Sequence, residues 1–464
     1  MMLSQETIVA QATPPGRGGV AIVRISGPLA QEIGYRICFA GQQDSIPEKS
    51  MFKPRYALLR SFYDSEGQCI DQGILLSFPG PNSFTGEDVV EIQGHGGPYV
   101  VQKLVNRCCE LGARRANPGE FSLRAFLNDK IDLAQAEAIA DLIDAQSEQA
   151  AHCAMASLQG EFSKRIDTFA QLILNIRIYV EAAMDFPEEE IDFLEDSALR
   201  AKVEGFLAEM RDMLDASKRG VALRDGLSVA ILGAPNAGKS SLLNLLSGEE
   251  TAIVTDIAGT TRDVLKCDIT LAGYPLNISD TAGLRETDNP VEQEGIRRAQ
   301  VAAQQAQHVF FLIDAQDLAP DMKIQSSLLE SLDIPAHQLT VIVNKLDTLS
   351  SEQLEALQSG LESHQILMSA KTGQGLSDLE NIVIEQLGGR ADESQFTARQ
   401  RHIAALNEAY QYCDNGYQQL MMTGSGELFA EDLKLGHRSL GEITGQVSSD
   451  DLLGHIFSSF CIGK

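Results

Sequence analysis

The stretch LSVAILGAPNAGKSSLLNLL (227–246) constrains this chain more than any other. An apolar, strand-like run enters a loop with the spacing G-x-x-x-x-G-K-[ST], at Gly233, Gly238, Lys239 and Ser240, and a helical pattern follows. Glycines let the backbone N–H groups of such a loop converge on phosphate oxygens, and the helix N-terminus adds partial positive charge. Lys239 can reach the β- and γ-phosphates, and the Ser240 hydroxyl can bind Mg²⁺. With further apolar strands alternating with helices after it, this region reads as α/β with a mainly parallel sheet.

The later strands name the base. DTAG (280–283), NKLD (344–347) and SAK (369–371) each follow an apolar run. Asp347 can accept two hydrogen bonds, from the ring N–H and the amino group of guanine. Adenine lacks that donor pair and would leave the carboxylate poorly paired. Asn344 supports loop and base, Lys345 can lie over the ring, and Ser369, Ala370 and Lys371 present backbone donors to the guanine oxygen. In this order the motifs resemble the Ras-like GTPase superfamily. Many such enzymes place a water-orienting glutamine directly after DxxG, and here that position is Leu284. Asn236 in the phosphate loop, with TDIAGTTRD (255–263) at the first-switch position, can coordinate a monovalent cation where an arginine finger would supply charge. An asparagine that only stabilises the turn fits the residue type equally well.

On either side the pattern changes. Residues 1–125 read as strands TIVAQA, GVAIVRIS, GILLSF and DVVEIQG, with PYVVQKLVNRCCELG a helix closed by Gly112. From Ile131 through Ala134, Ala138, Leu142 and Ala145 the apolar spacing is helical, and helical patterns continue to about residue 219. They return after about residue 390. The predicted organisation is multidomain: an α+β domain at 1–125, an all-helical domain in two pieces at 126–225 and 389–464, and a P-loop G domain inserted at 226–388. Domains whose termini lie close together tolerate such insertions.

Composition narrows the class. No run is apolar enough to span a bilayer and MMLSQETIVAQ is no signal peptide, so a cytoplasmic protein is expected. The eight cysteines include no C-x-x-C pair and indicate neither a disulfide framework nor a zinc site. A net charge of −28 opposes non-specific binding to nucleic acid. Residues 1–125 hold 12 Lys and Arg against 12 Asp and Glu, so the excess acid lies downstream. DFPEEEIDFLED (185–196) carries seven acids, the mark of a solvated loop or helix start.

Further blocks carry a closer resemblance. GRGGVAIVRISG, SFTGEDVVEIQGHGG, PGEFSLRAFLNDKIDLAQAEAIADLI, GAPNAGKSSLLN, TDIAGTTRD, DTAGLRE and the ending DDLLGHIFSSFCIGK resemble the MnmE (TrmE) family, GTPases of tRNA wobble-uridine modification, over essentially the whole chain. Ser122 and Asp129 stand where the family often has threonine and glycine. The resemblance implies a homodimer with an N-terminal tetrahydrofolate-binding and dimerising domain. It also implies a potassium-dependent GTPase whose G domains pair across the dimer. The implied GTP contacts add Asn236, Ala237, Ser241, the first-switch residues Thr255, Asp256, Ile257, Ala258, Gly259, Thr260 and Thr261, and Asp280, Thr281, Ala282 and Gly283. Potassium would be held by Asn236, Thr255, Thr260 and the carbonyl of Ile257, and Mg²⁺ by Ser240 and Thr261. Glu292 in the second switch would act on water in place of the glutamine.

The same resemblance implies a folate site, for a 5-formyl or methylene tetrahydrofolate, at Arg24, Glu87, Lys130 and Lys464. Arginine or lysine suits a glutamate tail, and a carboxylate suits the amide-and-amine edge of a pterin. The C-terminal tail would return to that site and bring Cys461 near the one-carbon unit, as nucleophile, proton donor or packed small side chain. The implied function is GTP hydrolysis together with a partner that binds FAD and NADH and resembles MnmG (GidA), in a heterotetramer or larger assembly. The product would be an aminomethyl or carboxymethylaminomethyl group on C5 of the tRNA wobble uridine, its carbon from folate and its nitrogen from glycine or ammonium. Two rivals use the same motifs. A ribosome-assembly GTPase switch would carry a basic RNA-binding module, and a folate-dependent transferase acting alone would use GTP only for regulation.

Overall fold

The computed structural model describes residues 6–39, 52–185, 196–234, 236–249, 266–279, 304, 306–318, 334–359, 365–387, 389, 396–447, 450–460 and 463. The acids of 186–195, the first-switch residues 255–261, DTAG, Leu284, Glu292, Cys461 and Lys464 lie outside them. The chain divides into two compact units. One is Met1–Ala140, Leu158–Leu174 and Lys434–Lys464, and the other is Asp141–Ser157 and Asn175–Leu433.

In the first unit β1 (Ile8–Gln11), β2 (Gly18–Ser26), β3 (Leu58–Tyr63), β4 (Cys69–Phe78), β5 (Val89–Gly96) and β6 (Arg114–Arg115) form one sheet. Its order is β3-β4-β5-β2-β1-β6, antiparallel except where β1 meets β6. Alternation along AIVRIS sets the two faces. Ala21, Val23 and Ile25 bury against Ile33 of α1 (Ala30–Arg36) and Val101 and Leu104 of α2 (Pro98–Glu110). On the other face Ile8 and Ala10 pack on Phe121 of α3 (Glu120–Leu127). That helix runs through the predicted boundary at 125.

Leu133 and Ala136 of α4 (Leu133–Ile143) form a buried cluster with Leu453, Ile456 and Phe457 of the helix Asp450–Ser458, and with Phe460. Each large apolar side chain so buried contributes about 1.5–3 kcal/mol. Gly119, at φ +65, lies so close that a Cβ would run into the Phe457 carbonyl. Gly463, at φ +100, is buried against the backbone of Gln11 and Ala12, with no room for a side chain.

The second unit holds part of the helices and the other sheet. After α5 (Glu148–Leu158) comes α6 (Glu161–Asp185), which belongs to the first unit as far as Leu174, and then α7 (Ser197–Asp225). Asp196 caps α7 by accepting from the N–H groups of Ala198 and Leu199. The helix stops at Gly226, φ +69, where a Cβ would meet the Pro275 carbonyl at 2.5 Å. The sheet comprises β7 (Leu227–Gly233), β8 (Lys266–Leu271), β9 (Tyr274–Ser279), β10 (His308–Asp314), β11 (Leu339–Asn344) and β12 (Gln365–Leu367). Its order is β12-β11-β10-β7-β9-β8, parallel except for the β8–β9 hairpin. Val229, Ile231, Phe310 and Ile342 pack on Leu242 and Leu246 of α8 (Lys239–Glu249) and on Leu379 and Val383 of the helix Leu376–Gln386. Ala230, Leu232, Phe311 and Val341 bury on the opposite face. Burial on both faces is why these strands read as unbroken apolar runs.

One carboxylate joins the chain on both sides of this sheet. Asp141 accepts from Arg224 Nε at 2.9 Å, Arg399 Nη2 at 2.7 Å and Thr397 Oγ1 at 3.4 Å. Arg224 precedes the α/β segment and the other two follow it, so its ends lie side by side, as an insertion requires.

Candidate functional site

Parallel sheets bind ligands beyond the C-terminal ends of their strands. Here the loops after β7, β11 and β12 meet there. The phosphate loop leaves β7 at Gly233 and turns through Asn236, φ +64, and Gly238, φ +101. A Cβ on Gly238 would run into Asn344 Nδ2, so only glycine fits. Lys239 Nζ donates to the carbonyls of Gly233 at 2.8 Å and Ala234 at 2.9 Å. Burial lowers the pKa of this ammonium from its usual value. Phosphate oxygens are stronger acceptors for an ammonium than neutral carbonyls, so a phosphate group placed at this loop would compete with the two carbonyls for Lys239. Ser240 and Ser241 are exposed in the first turn of α8.

Asn344, 2% exposed, binds two loops at once. Its Nδ2 donates to the Ala237 carbonyl at 2.8 Å, and its Oδ1 accepts from the Ala370 N–H at 2.9 Å. Ser369 Oγ donates to Asp347 Oδ1 at 2.7 Å, and Lys371 Nζ lies 3.8 Å from Asp347 Oδ2. The Ser369 N–H goes to the Gln374 carbonyl at 2.9 Å. Within SAK, then, two of the three backbone donors are already engaged, one inside the loop and one with Asn344. Lys345 is left-handed, φ +69, and its Nζ lies 2.6 Å from Asp314 Oδ2. The sequence gives little warning of Asp314, a lone acid closing the run HVFFLID.

The structure therefore gathers Asn236 to Ser241 with Asn344, Lys345, Asp347 and Ser369 to Lys371. Asn236 and Ser240 present oxygen donors at exposed positions, which suits hard cations. The left-handed backbone at Asn236 is also one that asparagine tolerates better than most residues. The turn role is thus visible in the geometry, and a cation role is compatible with it.

Three of the four folate candidates meet at the 79–88 loop between β4 and β5: Glu87 belongs to it, and Arg24 and Lys130 lie against it. Arg24 Nε pairs with Glu91 Oε1 at 2.9 Å, and its guanidinium lies over the rings of Phe84 and Phe121 at 5.6 and 5.8 Å. Lys130 Nζ donates to the Pro81 carbonyl at 2.9 Å. Glu87 accepts from Ser26 Oγ at 2.7 Å and from Arg124 Nη1 at 3.1 and 2.9 Å. A carboxylate has about four acceptor sites, so about one is left for a ligand. Arg124, buried at 3% exposure, also donates to Glu120 at 3.0 Å. Sequence reasoning missed Ser26 and Arg124, whose types carry no signal in their local context. An arginine over two rings, an exposed lysine and a carboxylate with spare capacity fit a folate in chemical type. Asp129 is left-handed at φ +54, a backbone conformation that glycine adopts without strain. Ser122 is fully buried, and its hydroxyl has no hydrogen-bond partner among the described residues.

Two family models match the chain. The GTP-binding protein TrmE N-terminus matches residues 7–130, and the MnmE helical domain matches residues 133–461. A protein of Ectopseudomonas mendocina (strain ymp) named tRNA modification GTPase MnmE is 52% identical, over 99% of this chain and 99% of that one. Proteins of the same name from Pseudomonas syringae pv. tomato and Marinomonas sp. are 52% and 51% identical. The first match covers 100% of both chains; the second covers 99% of this chain and 98% of the relative. Among solved structures, Aquifex aeolicus Era Y63A bound to GDP.AlF4- is 24% identical over 40% of this chain and 67% of that one. Its TM-score of 0.26 is too low to add to the full-length relatives. With both models matched and half the residues shared end to end, the chain belongs to the MnmE (TrmE) family.

Proposed function

We propose that this protein hydrolyses GTP in the modification of the tRNA wobble uridine. The observation that carries the nucleotide part is the Asn344 bridge, which sets the phosphate loop against the SAK loop with Asp347 beside it. The name tRNA modification GTPase MnmE, borne by relatives over their full length, supports the rest.

The described residues divide the work. Asp347 accepts the N–H groups of the guanine edge, oriented by the Ser369 hydroxyl. Lys239 leaves two carbonyls for the phosphates, and the backbone from Asn236 to Gly238 cradles them. Mg²⁺, held by Ser240 and Thr261, and K⁺, held by Asn236, Thr255, Ile257 and Thr260, would supply positive charge to the phosphates. Glu292 would orient the attacking water, since Leu284 has no group to do so.

The remaining expectations belong to the same proposal. The protein works in the cytoplasm as a homodimer, with the four-segment domain plan given above. A tetrahydrofolate derivative binds at Arg24, Glu87, Lys130 and Lys464 and supplies the one-carbon unit. A net charge of −28 leaves the chain poorly suited to gripping tRNA phosphates alone. An MnmG-like flavoprotein would supply both the redox chemistry and a basic surface. Mass spectrometry of wobble uridines in cells lacking the gene tests the function. Loss of the C5 substituent is expected, and unchanged nucleosides would overturn the proposal.

A further inference from the structure

We propose that Asp314 is a positioning residue that holds Lys345 ready against the face of the guanine base. Asp314 ends β10, and its register partner on the adjacent parallel strand is Asn344, the residue before Lys345. The carboxylate is fixed from two sides. Oδ1 accepts the Gln316 N–H at 3.0 Å, which caps the short turn Ala315–Asp317, and Oδ2 meets Lys345 Nζ at 2.6 Å. The side chains are 11% and 34% exposed, so the pair is shielded more than an ordinary surface ion pair.

A lysine covers a purine with its methylenes more readily when its ammonium is held at the rim, because the stem is then already ordered. Left alone, a lysine stem samples many rotamers, and ordering it on binding weakens affinity. Asp314 orders it beforehand, so the base meets a prepared surface. It also gives the ammonium a carboxylate other than Asp347, which lies two residues along the chain and must stay available to the base edge. The competing explanation is that Asp314 only caps the turn.

A double-mutant cycle on GDP affinity separates the two, and it rests on the nucleotide-site proposal above. Asp314→Asn keeps an oxygen for the Gln316 N–H and removes the charge facing Lys345. GDP binding is measured by calorimetry on the full chain for the wild type, Asp314→Asn, Lys345→Met and the double variant. Asp314→Asn should weaken GDP about tenfold, and the double variant should match Lys345→Met alone. A turn cap would shift thermal stability without this non-additivity. If Asp314→Asn fails to fold, Asp314→Ser retains an acceptor for the cap and carries the same cycle. Failure of the wild type to bind GDP would overturn the nucleotide site itself. Normal wild-type binding with undiminished affinity in Asp314→Asn, or fully additive losses, would overturn the role of Asp314 alone.

Discussion

The Ser369 hydroxyl donates to Asp347 Oδ1 across 2.7 Å, which fixes the carboxylate against the SAK loop. A held carboxylate discriminates between bases because its acceptors cannot turn away to suit another edge. Asp347→Asn replaces an acceptor pair by one acceptor and one donor. GTP affinity should fall about 100-fold or more, and XTP affinity should rise. Competition binding with the two nucleotides checks this, and unchanged GTP affinity removes Asp347 from the base site.

Potassium should stimulate hydrolysis and sodium much less, because cavity size and carbonyl number set the fit. The backbone at Asn236 is left-handed, so Asn236→Ala would combine strain with loss of the amide. Asn236→Gly keeps the turn and removes only the side chain. It should abolish the difference between the two salts and leave nucleotide binding within about threefold, since the backbone N–H groups remain. Equal wild-type rates in KCl and NaCl would reject the cation site.

The tail should be needed for modification and not for GTP binding. Gly463 is buried at φ +100 against Gln11 and Ala12, and Gln11 on β1 is the register partner of Val23, next to Arg24. Gly463→Ala adds a methyl group where there is no space, and should displace the tail. Folate affinity and wobble-uridine modification should fall together, by about tenfold or more for a lost charge-assisted contact. GTP affinity should stay constant. Cys461→Ser then asks whether the thiol reacts: GTP hydrolysis and folding should persist, and only a reacting thiol predicts complete loss of modification.

The nucleotide-binding segment should be acid-sensitive through His308. This residue is 2% exposed, with Nε2 2.8 Å from Thr340 Oγ1. Burial, with a smaller effect from His337, lowers its pKa from 6.5 to about 4. The unfolded chain therefore binds the proton first. The stabilisation is whole above about pH 6.5 and is lost as pH falls toward 4, to a limit of about 3 kcal/mol. Thermal melts from pH 7.5 to 4.5 should show the GDP-stabilised transition dropping across this window, and His308→Asn should flatten part of that drop. An equal slope in the variant would assign the acid sensitivity elsewhere.

Some elements were legible because their signals are local. The phosphate loop needs its strand, glycines, lysine and helix in consecutive residues, and all are present between 227 and 249. Gly112 closes α2 at φ +109, as its place after the helical pattern predicts. Other elements were hidden. β3 reads LLRSFY, in which Leu58 and Leu59 break the alternation and Arg60 sits on the face that Phe62 buries. The helical pattern fades near 219, but α7 continues to Asp225 because Gly220, Val221 and Leu223 are buried by tertiary packing.

By itself the sequence determined the α/β segment, the guanine and phosphate motifs, and the family. Backbone geometry within a few consecutive residues specifies these features, and that geometry is written in residue type and spacing. Tertiary structure alone decided which groups hold the functional side chains in place. Asn344 finds Ala237 across 107 positions, Glu87 finds Arg124 across 37, and Lys345 finds Asp314 across 31. Each of these pairs joins ordinary residue types through hydrogen bonds that exist only once strands and helices have packed. No periodicity in the chain announces them, because the energy that selects the partners comes from burial and register in the folded sheet.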